Sequence, residues 1–164
     1  MANELQGRKA AILLTPVGTE QAEFVRPRQA VQAAGATVDV VGLQACEAQT
    51  MNGDVNSGET FQVDNAVSDV SADAYDALIV PGGTVGADTL RGSAEADVVR
   101  GRTLTSFPTL QTDIRNAGGE WVDQEVVTDQ GLVTSRDPDD IPVFCAKIVE
   151  EFAEGKHAKQ SASA

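Results

Sequence analysis

The sequence is poor in the residues that most catalytic and metal-binding sites need. Its 164 residues include one histidine, His157, and two cysteines, Cys46 and Cys145. One histidine in a polar terminal segment excludes a Ser-His-Asp triad and a histidine-based metal site within this chain. Two cysteines so far apart are too few for a disulfide framework. We therefore expect no metal ion and no cofactor.

Basic residues and long apolar runs are also scarce. Lys and Arg together number 12 against 25 Asp and Glu, which gives a formal net charge of −13. A chain with this charge is repelled at long range by nucleic acids and by anionic membranes. Its apolar runs have the length of strands, and none is long enough to span a bilayer. We expect a cytoplasmic protein that binds neither nucleic acid nor membrane.

The residues that are abundant indicate a compact protein of one domain. Hydrophobic residues make up 41% of the chain and there are 15 glycines, a composition typical of α/β proteins of this length. We expect an N-terminal tail at residues 1–7, one domain at residues 8–155 and a disordered C-terminal tail at residues 156–164.

The first half of the chain has the pattern of a parallel sheet. Residues 9–15 form an apolar run that predicts an inner strand, followed by a loop at residues 16–19. Apolar residues then recur at helical spacing from 20 to 34, and residues 37–43 form a second β-branched run. A strand, a helix and a strand within about 35 residues predict a right-handed βαβ unit.

A third predicted inner strand, residues 76–83, ends on Pro81-Gly82-Gly83. In open α/β sheets, the loops at the carboxyl ends of the strands form the crevice where ligands bind. Before it, turn dipeptides such as Asn52-Gly53 predict a small antiparallel ribbon within residues 50–70. The fold class predicted from these patterns is α/β with a mostly parallel sheet.

The second half predicts shorter elements. In chain order these are one or two helices within residues 86–99, a strand at 103–107, a helix at 109–117, short strands at 120–122, 125–128 and 132–135, and a final helix at 138–152. Cys145 lies on the apolar stripe of the final helix, which favours a core residue over a nucleophile.

Several segments together resemble the ThiJ/PfpI family of the class I glutamine amidotransferase-like superfamily. The resemblance is carried by Gly18-Thr-Glu-Gln-Ala-Glu23, Asp76-Ala-Leu-Ile-Val-Pro-Gly-Gly83, Gly101-Arg-Thr-Leu-Thr-Ser-Phe-Pro108, Asp113-Ile-Arg-Asn-Ala-Gly-Gly-Glu-Trp-Val-Asp123 and Asp129-Gln-Gly-Leu-Val-Thr-Ser-Arg136. They cover most of residues 8–153 in the order of the family.

The resemblance implies a flavodoxin-like three-layer sandwich with a mostly parallel sheet. It also implies a stress-related, cysteine-dependent deglycase, glyoxalase or peptidase that acts on a small molecule or a peptide and self-associates as a homo-oligomer. Such a protein carries an Ala-Ile-Cys-His-Gly elbow between a central strand and a helix, where the helix N-terminus lowers the pKa of the thiol. This sequence has no such elbow. Roughly 25 to 30 residues are missing near residues 92–101, the length of a helix, a strand and its elbow.

The resemblance carries three site residues over to this chain. Glu23 matches the glutamate that exchanges a proton with the nucleophile, although an acid in the first turn of a helix is also favoured by the helix dipole alone. Gly82 and Gly83 match the turn whose backbone amides form the oxyanion pocket.

Three hypotheses follow from the sequence. The first is a family member that has lost its nucleophile and with it thiol catalysis. The second is an active hydrolase with a relocated thiol, Cys46 or Cys145. The third is a non-catalytic module that binds a small molecule, although the loops after the strands lack the glycine spacing of phosphate-binding loops.

Overall fold

The computed structural model describes residues 3–91 and 99–155. The chain divides into two compact units, with the boundary between residues 94 and 95. Among the described helices, none is long and apolar enough to cross a membrane.

The first unit contains most of the strands. In chain order its elements are β1 (Lys9–Leu13), β2 (Val17–Glu20), α1 (Gln21–Ala33), β3 (Thr37–Gly42), β4 (Glu47–Asn52), β5 (Asn56–Gln62), β6 (Asn65–Ala66), β7 (Ala77–Ile79) and α2 (Thr84–Arg91). Four strands form a sheet in the order β6-β3-β1-β7. All three pairings in this sheet are parallel.

The sheet buries its central strands as the apolar runs predict. Ile12 in β1 and Val40 in β3 have exposures of 0% and 1%, and Phe24 and Val31 of α1 are likewise fully buried. A strand that is covered on its faces has no polar side to show, which explains the unbroken apolar sequence of β1. The prediction of an α/β fold with a mostly parallel sheet is confirmed.

A second sheet, β2-β4-β5, lies beside α1. Strands β4 and β5 form the antiparallel ribbon that the turn dipeptides predict. The Phe61 ring of β5 contacts the Phe24 ring of α1 at a centroid distance of 4.9 Å. The predicted loop at residues 16–19 is wrong in part, because Val17–Glu20 pairs with β4 as a short parallel strand. A strand held by so few backbone pairs leaves no periodic pattern in the sequence.

The second unit contains β8 (Thr103–Leu104), α3 (Gln111–Asn116), β9 (Glu120–Trp121), β10 (Val126–Asp129), β11 (Leu132–Ser135) and α4 (Ile141–Glu154). Strands β8 and β9 pair in parallel, and β10 and β11 form the predicted antiparallel hairpin. Strand β8 is shorter than the predicted strand at residues 103–107, because only Thr103 and Leu104 pair with β9.

The start of α4 is fixed by an ion pair. Two nitrogens of the Arg136 guanidinium donate to the two carboxylate oxygens of Asp140 at 2.9 and 3.1 Å, and a third donates to Asp123 at 2.8 Å. Asp140 is 6% exposed, and the hydrogen bonds from Arg136 hold the pKa of its carboxyl below the usual range. A buried carboxylate needs such a partner.

Some predictions concern the ends of the described ranges. Leu5, within the predicted N-terminal tail, is fully buried, and its amide donates to the Ala34 carbonyl at 2.9 Å. The predicted helix within residues 86–99 corresponds to α2 up to Arg91. Residues 92–98, where most of the expected deletion falls, lie outside the described residues. So do the tail at 156–164 and His157.

Candidate functional site

The turn Pro81-Gly82-Gly83 joins β7 to α2 at the carboxyl end of the parallel sheet. Gly83 has a φ of +109°, a region that L side chains rarely adopt. A Cβ at this residue would collide with the Gly18 carbonyl oxygen and would lie 2.7 Å from the Glu20 amide nitrogen. The Glu20 amide also donates to the Gly82 carbonyl at 3.0 Å. Two backbones therefore pack directly against each other here, and glycine permits this approach.

Glu23 lies in the first turn of α1 and its carboxylate reaches this turn. Its Oε2 accepts a hydrogen bond from the Gly82 amide at 2.7 Å. A Cβ on Gly82 would lie 2.5 Å from the same oxygen, so glycine is needed for the contact. The structure thus brings the carboxylate of Glu23 to the backbone of Gly82. The role of Glu23 extends beyond that of a first-turn acid, because its partner is 59 residues away in the sequence.

A second carboxylate binds a backbone amide close to that of Gly82, the amide of Thr84 at the start of α2. Asp54, in the turn between β4 and β5, accepts from the Thr84 amide at 2.8 Å and from the Thr84 hydroxyl at 2.7 Å. These hydrogen bonds, led by the one from the hydroxyl, lower the pKa of the Asp54 carboxyl below its usual value. Asp54 has a φ of +64°. It acts as an N-cap for α2 that comes from a distant part of the chain.

The amides at this turn are therefore largely used by the protein itself. Gly82 donates to Glu23 and Thr84 donates to Asp54. For the amide of Gly83, no partner occurs among the residues that the structure describes. An oxyanion pocket requires donors that are free to meet the developing charge. Only one of the two glycine amides assigned to that pocket, Gly83, meets this requirement.

The two thiols do not lie in this turn. Cys46 directly precedes β4, and its backbone carbonyl accepts from the Val63 amide at 2.9 Å. The side chains of Cys46 and Cys145 are both partly buried. Cys145 lies within α4 of the second unit, as the apolar stripe predicts. Within residues 3–91 and 99–155, no group of three or more His, Cys, Asp or Glu side chains could hold a metal ion.

Sequence reasoning missed Asp54 and Thr84. The available signal was the turn sequence Asn52-Gly53-Asp54, which predicts a tight turn but not its target 30 residues further along the chain. The turn is also tied to the end of β2, because the Gly53 amide donates to Glu20 Oε2 at 2.9 Å. Such non-local contacts have no periodic signature.

A further charged cluster lies at the other end of the sheet. The Lys9 ammonium pairs with Asp39 Oδ2 at 2.7 Å, and the Tyr75 hydroxyl donates to the same oxygen at 3.0 Å. The hydrogen bond from Lys9 is the main cause of the lowered pKa of Asp39. Because each member already has a partner within the cluster, we assign it a structural role.

Comparison with known sequences identifies relatives over nearly the whole chain. The profile of the DJ-1/PfpI family matches residues 8–96 and 92–151. An uncharacterized protein of Staphylococcus haemolyticus is 32% identical, and the match covers 88% of this chain and 98% of that protein. An uncharacterized protein of Staphylococcus saprophyticus is 33% identical with the same coverage.

Solved structures with this fold carry the same family names. Drosophila melanogaster DJ-1beta is 27% identical with a TM-score of 0.72, and the match covers 89% of this chain and 90% of that one. A ThiJ/PfpI domain protein from Brachyspira murdochii shares the fold at 16% identity, with a TM-score of 0.79 and coverage of 91% and 98%. A two-domain protein from Anabaena variabilis, with DJ-1/ThiJ/PfpI-like and ferritin-like domains, is 26% identical with a TM-score of 0.72. The match covers 87% of this chain and 49% of that protein. The chain belongs to the DJ-1/PfpI family.

Proposed function

We propose that this chain is a DJ-1/PfpI protein without thiol catalysis, a stress-related family member whose remaining role is binding. The observation that carries the proposal is the sequence between α2 and β8. It runs from Arg91 to Arg102 with no cysteine and no histidine, where the resemblance expects the nucleophile elbow. A nucleophilic thiol with its base cannot be built from the residues there.

The way in which the family profile matches supports a missing segment. The profile matches in two stretches, one ending at residue 96 and one beginning at residue 92. The alignments to the staphylococcal proteins extend over 176 positions, whereas 88% of 164 residues is about 144. The difference of about 30 positions agrees with the length of a helix, a strand and its elbow.

The contacts at the Pro-Gly-Gly turn also support the proposal. The Glu23 carboxylate, which we assign as the retained family glutamate, is bound by the Gly82 amide at 2.7 Å. In an active site of the family type, that carboxylate faces a thiol and the glycine amides face an oxyanion. Here the carboxylate and one of the amides satisfy each other, so the turn is stable without a substrate.

Turnover assays test the proposal. The purified chain is compared with a variant that carries Cys46→Ser and Cys145→Ala, using an α-oxoaldehyde, a glycated peptide and an unmodified peptide as substrates. We expect equal rates for the two proteins, because neither cysteine stands at the place in the sequence where the family carries its nucleophile elbow. Circular dichroism establishes that both are folded. A higher rate for the parent chain, lost in this variant and in Glu23→Ala, would show that thiol catalysis persists.

The alternative hydrolase with a relocated thiol makes a different prediction. An activated thiol is partly ionised at neutral pH and reacts faster than a free cysteine. Iodoacetamide labelling at pH 7, with mass spectrometry of the peptides that contain Cys46 and Cys145, measures this rate directly. We expect both cysteines, which are partly buried, to react more slowly than free cysteine.

A cytoplasmic location is a further prediction, which rests on the composition alone.

A further inference from the structure

The tip of the β4–β5 hairpin, residues 52–57, reaches the start of α2 without an apolar anchor. All six residues of this hairpin tip are exposed. Val55 is 80% exposed, and a Cβ on Gly53 would meet no atom within 4 Å. An apolar side chain that stays in water contributes nothing to holding a segment in place. The position of the hairpin tip therefore depends on its polar contacts.

Two carboxylates make these polar contacts. Asp54 accepts from the Thr84 amide at 2.8 Å and from the Thr84 hydroxyl at 2.7 Å. Glu20, at the end of β2, accepts from the Gly53 amide at 2.9 Å. Hydrogen bonds at exposed positions compete with water, so each of them contributes modestly to stability. The first contact joins the hairpin tip to α2, and the second joins it to β2.

The base of the same hairpin is held much more firmly. The register between β4 and β5 shifts between Gln49 and Met51. Thr50 lies at this bulge and is fully buried, and its hydroxyl donates to the Glu59 carbonyl at 2.7 Å. Gln21 Oε1 in α1 accepts from the Glu59 amide at 2.6 Å. Because a bulge interrupts the ladder and bends the strand, it supplies a pivot between a fixed base and the hairpin tip.

From this geometry we propose that the hairpin tip is a latch, which closes on the start of α2 through Asp54 and opens as one unit about the bulge while the parallel sheet stays folded. Asp54 has a φ of +64°, a conformation that a residue other than glycine keeps only where its contacts require it. The proposal concerns the hairpin tip alone and holds whether or not the chain is catalytic.

The latch controls backbone donors at the carboxyl end of the parallel sheet. Its opening releases the Thr84 amide, which Asp54 binds in the closed state. The neighbouring amide of Gly83 has no partner among the described residues. Two adjacent donors at the start of α2 are thus available only when the latch is open. Opening breaks the contacts of two carboxylates and buries or exposes no apolar core, so it should occur far more often than unfolding of the sheet.

Amide hydrogen exchange measured by NMR tests the latch. In the parent chain, the Gly53 and Thr84 amides should have similar protection factors because they share one opening. The Ala87 amide, which donates to the Gly83 carbonyl at 2.8 Å in the first turn of α2, should be better protected. Asp54→Ala should lower the protection factor of Thr84 about tenfold. It should also lower that of Gly53, although the Gly53 amide binds Glu20 and not Asp54.

This shared response distinguishes a latch from a simple helix cap. Glu20→Ala removes the other contact and should lower the protection factor of Thr84 in return. Asp73→Ala is the matched control, because it removes an exposed acid elsewhere in the first unit, and it should leave both amides unchanged. Ala87 should stay protected in all three variants.

Two results would overturn the proposal. In the first, Asp54→Ala lowers the protection of Thr84 and leaves Gly53 unchanged, so that the two contacts open independently. In the second, Ala87 loses as much protection as Thr84, so that α2 itself unfolds with the hairpin tip. Far-UV circular dichroism of each variant establishes that the chain is folded under the conditions of the exchange measurement.

Discussion

Replacing Glu23 with alanine should destabilise the protein by about 2 kcal/mol. The Glu23 carboxylate accepts from the Gly82 amide at 2.7 Å, the short distance of a charge-assisted hydrogen bond. Such a bond contributes about 1.5–3 kcal/mol, and its loss leaves a partly buried amide without a partner. With a typical urea slope of about 2 kcal/mol per molar, the unfolding midpoint should fall by about 1 M. Far-UV circular dichroism measures the midpoint.

Two controls separate the hydrogen bond from the charge. Glu23→Gln keeps a neutral acceptor for the Gly82 amide and should lose about half as much stability. Formate at 0.2 M should partly restore Glu23→Ala relative to chloride at the same ionic strength, because a small carboxylate can take the vacated place beside the amide. Glu125→Ala removes an exposed acid and should have little effect. A Glu23→Ala variant whose stability lies within about 0.5 kcal/mol of the parent would show that this hydrogen bond does not stabilise the turn.

Three further predictions concern contacts near the turn and in the second unit. Asp54→Asn should be less stable than the parent at pH 7, and the difference in unfolding free energy should disappear as the pH falls below about 4. The reason is that a carboxyl with a lowered pKa stabilises the fold only while it is ionised. Urea midpoints across pH 3–7 would test this, and a difference that does not change with pH would contradict it. Gly83→Ala should lower the free energy of unfolding by about 2 kcal/mol or more, since a Cβ there meets backbone atoms. Gly53 also has a positive φ, +60°, but a Cβ there would meet no atoms, so Gly53→Ala should cost less. Equal losses of stability in the two variants would contradict the packing argument. Arg136→Lys should lower the free energy of unfolding by about 1–2 kcal/mol, because it removes the bidentate contact with Asp140. Trp121 fluorescence during urea unfolding would measure the change. An unchanged midpoint would show that the bidentate contact does not stabilise the protein.

The elements with local signatures could be predicted from the sequence. Strands β1 and β3 appear as apolar or β-branched runs, and their observed bounds end within two residues of those predicted. Helix α4 follows from its apolar stripe. Strand β2 could not be predicted in this way. It is a strand only because β4 lies beside it, and that neighbour is about 30 residues away.

The resemblance names the candidate site residues, but it does not give their contacts. Motif order singled out Glu23, Gly82 and Gly83, and the structure brings Glu23 to the Gly82 amide. The cap that Asp54 provides for α2 depends on the β4–β5 turn reaching Thr84. Neither residue type nor spacing encodes that approach. Tertiary packing brings Asp54 to Thr84, and a single sequence gives no signal that these two residues are in contact.

Among the residues that the structure describes, β7 is the last strand of the parallel sheet, at the place where the family resemblance expects a further strand. Amide hydrogen exchange measured by NMR at low protein concentration tests it residue by residue. The amide of Ile12 lies inside the sheet and faces β3, so it should be strongly protected. Leu78 lies opposite Ala11 in a parallel ladder, so its amide points away from β1 and should exchange far faster. Equal and strong protection of both amides at every concentration would mean that another part of the chain covers β7, and would contradict the account.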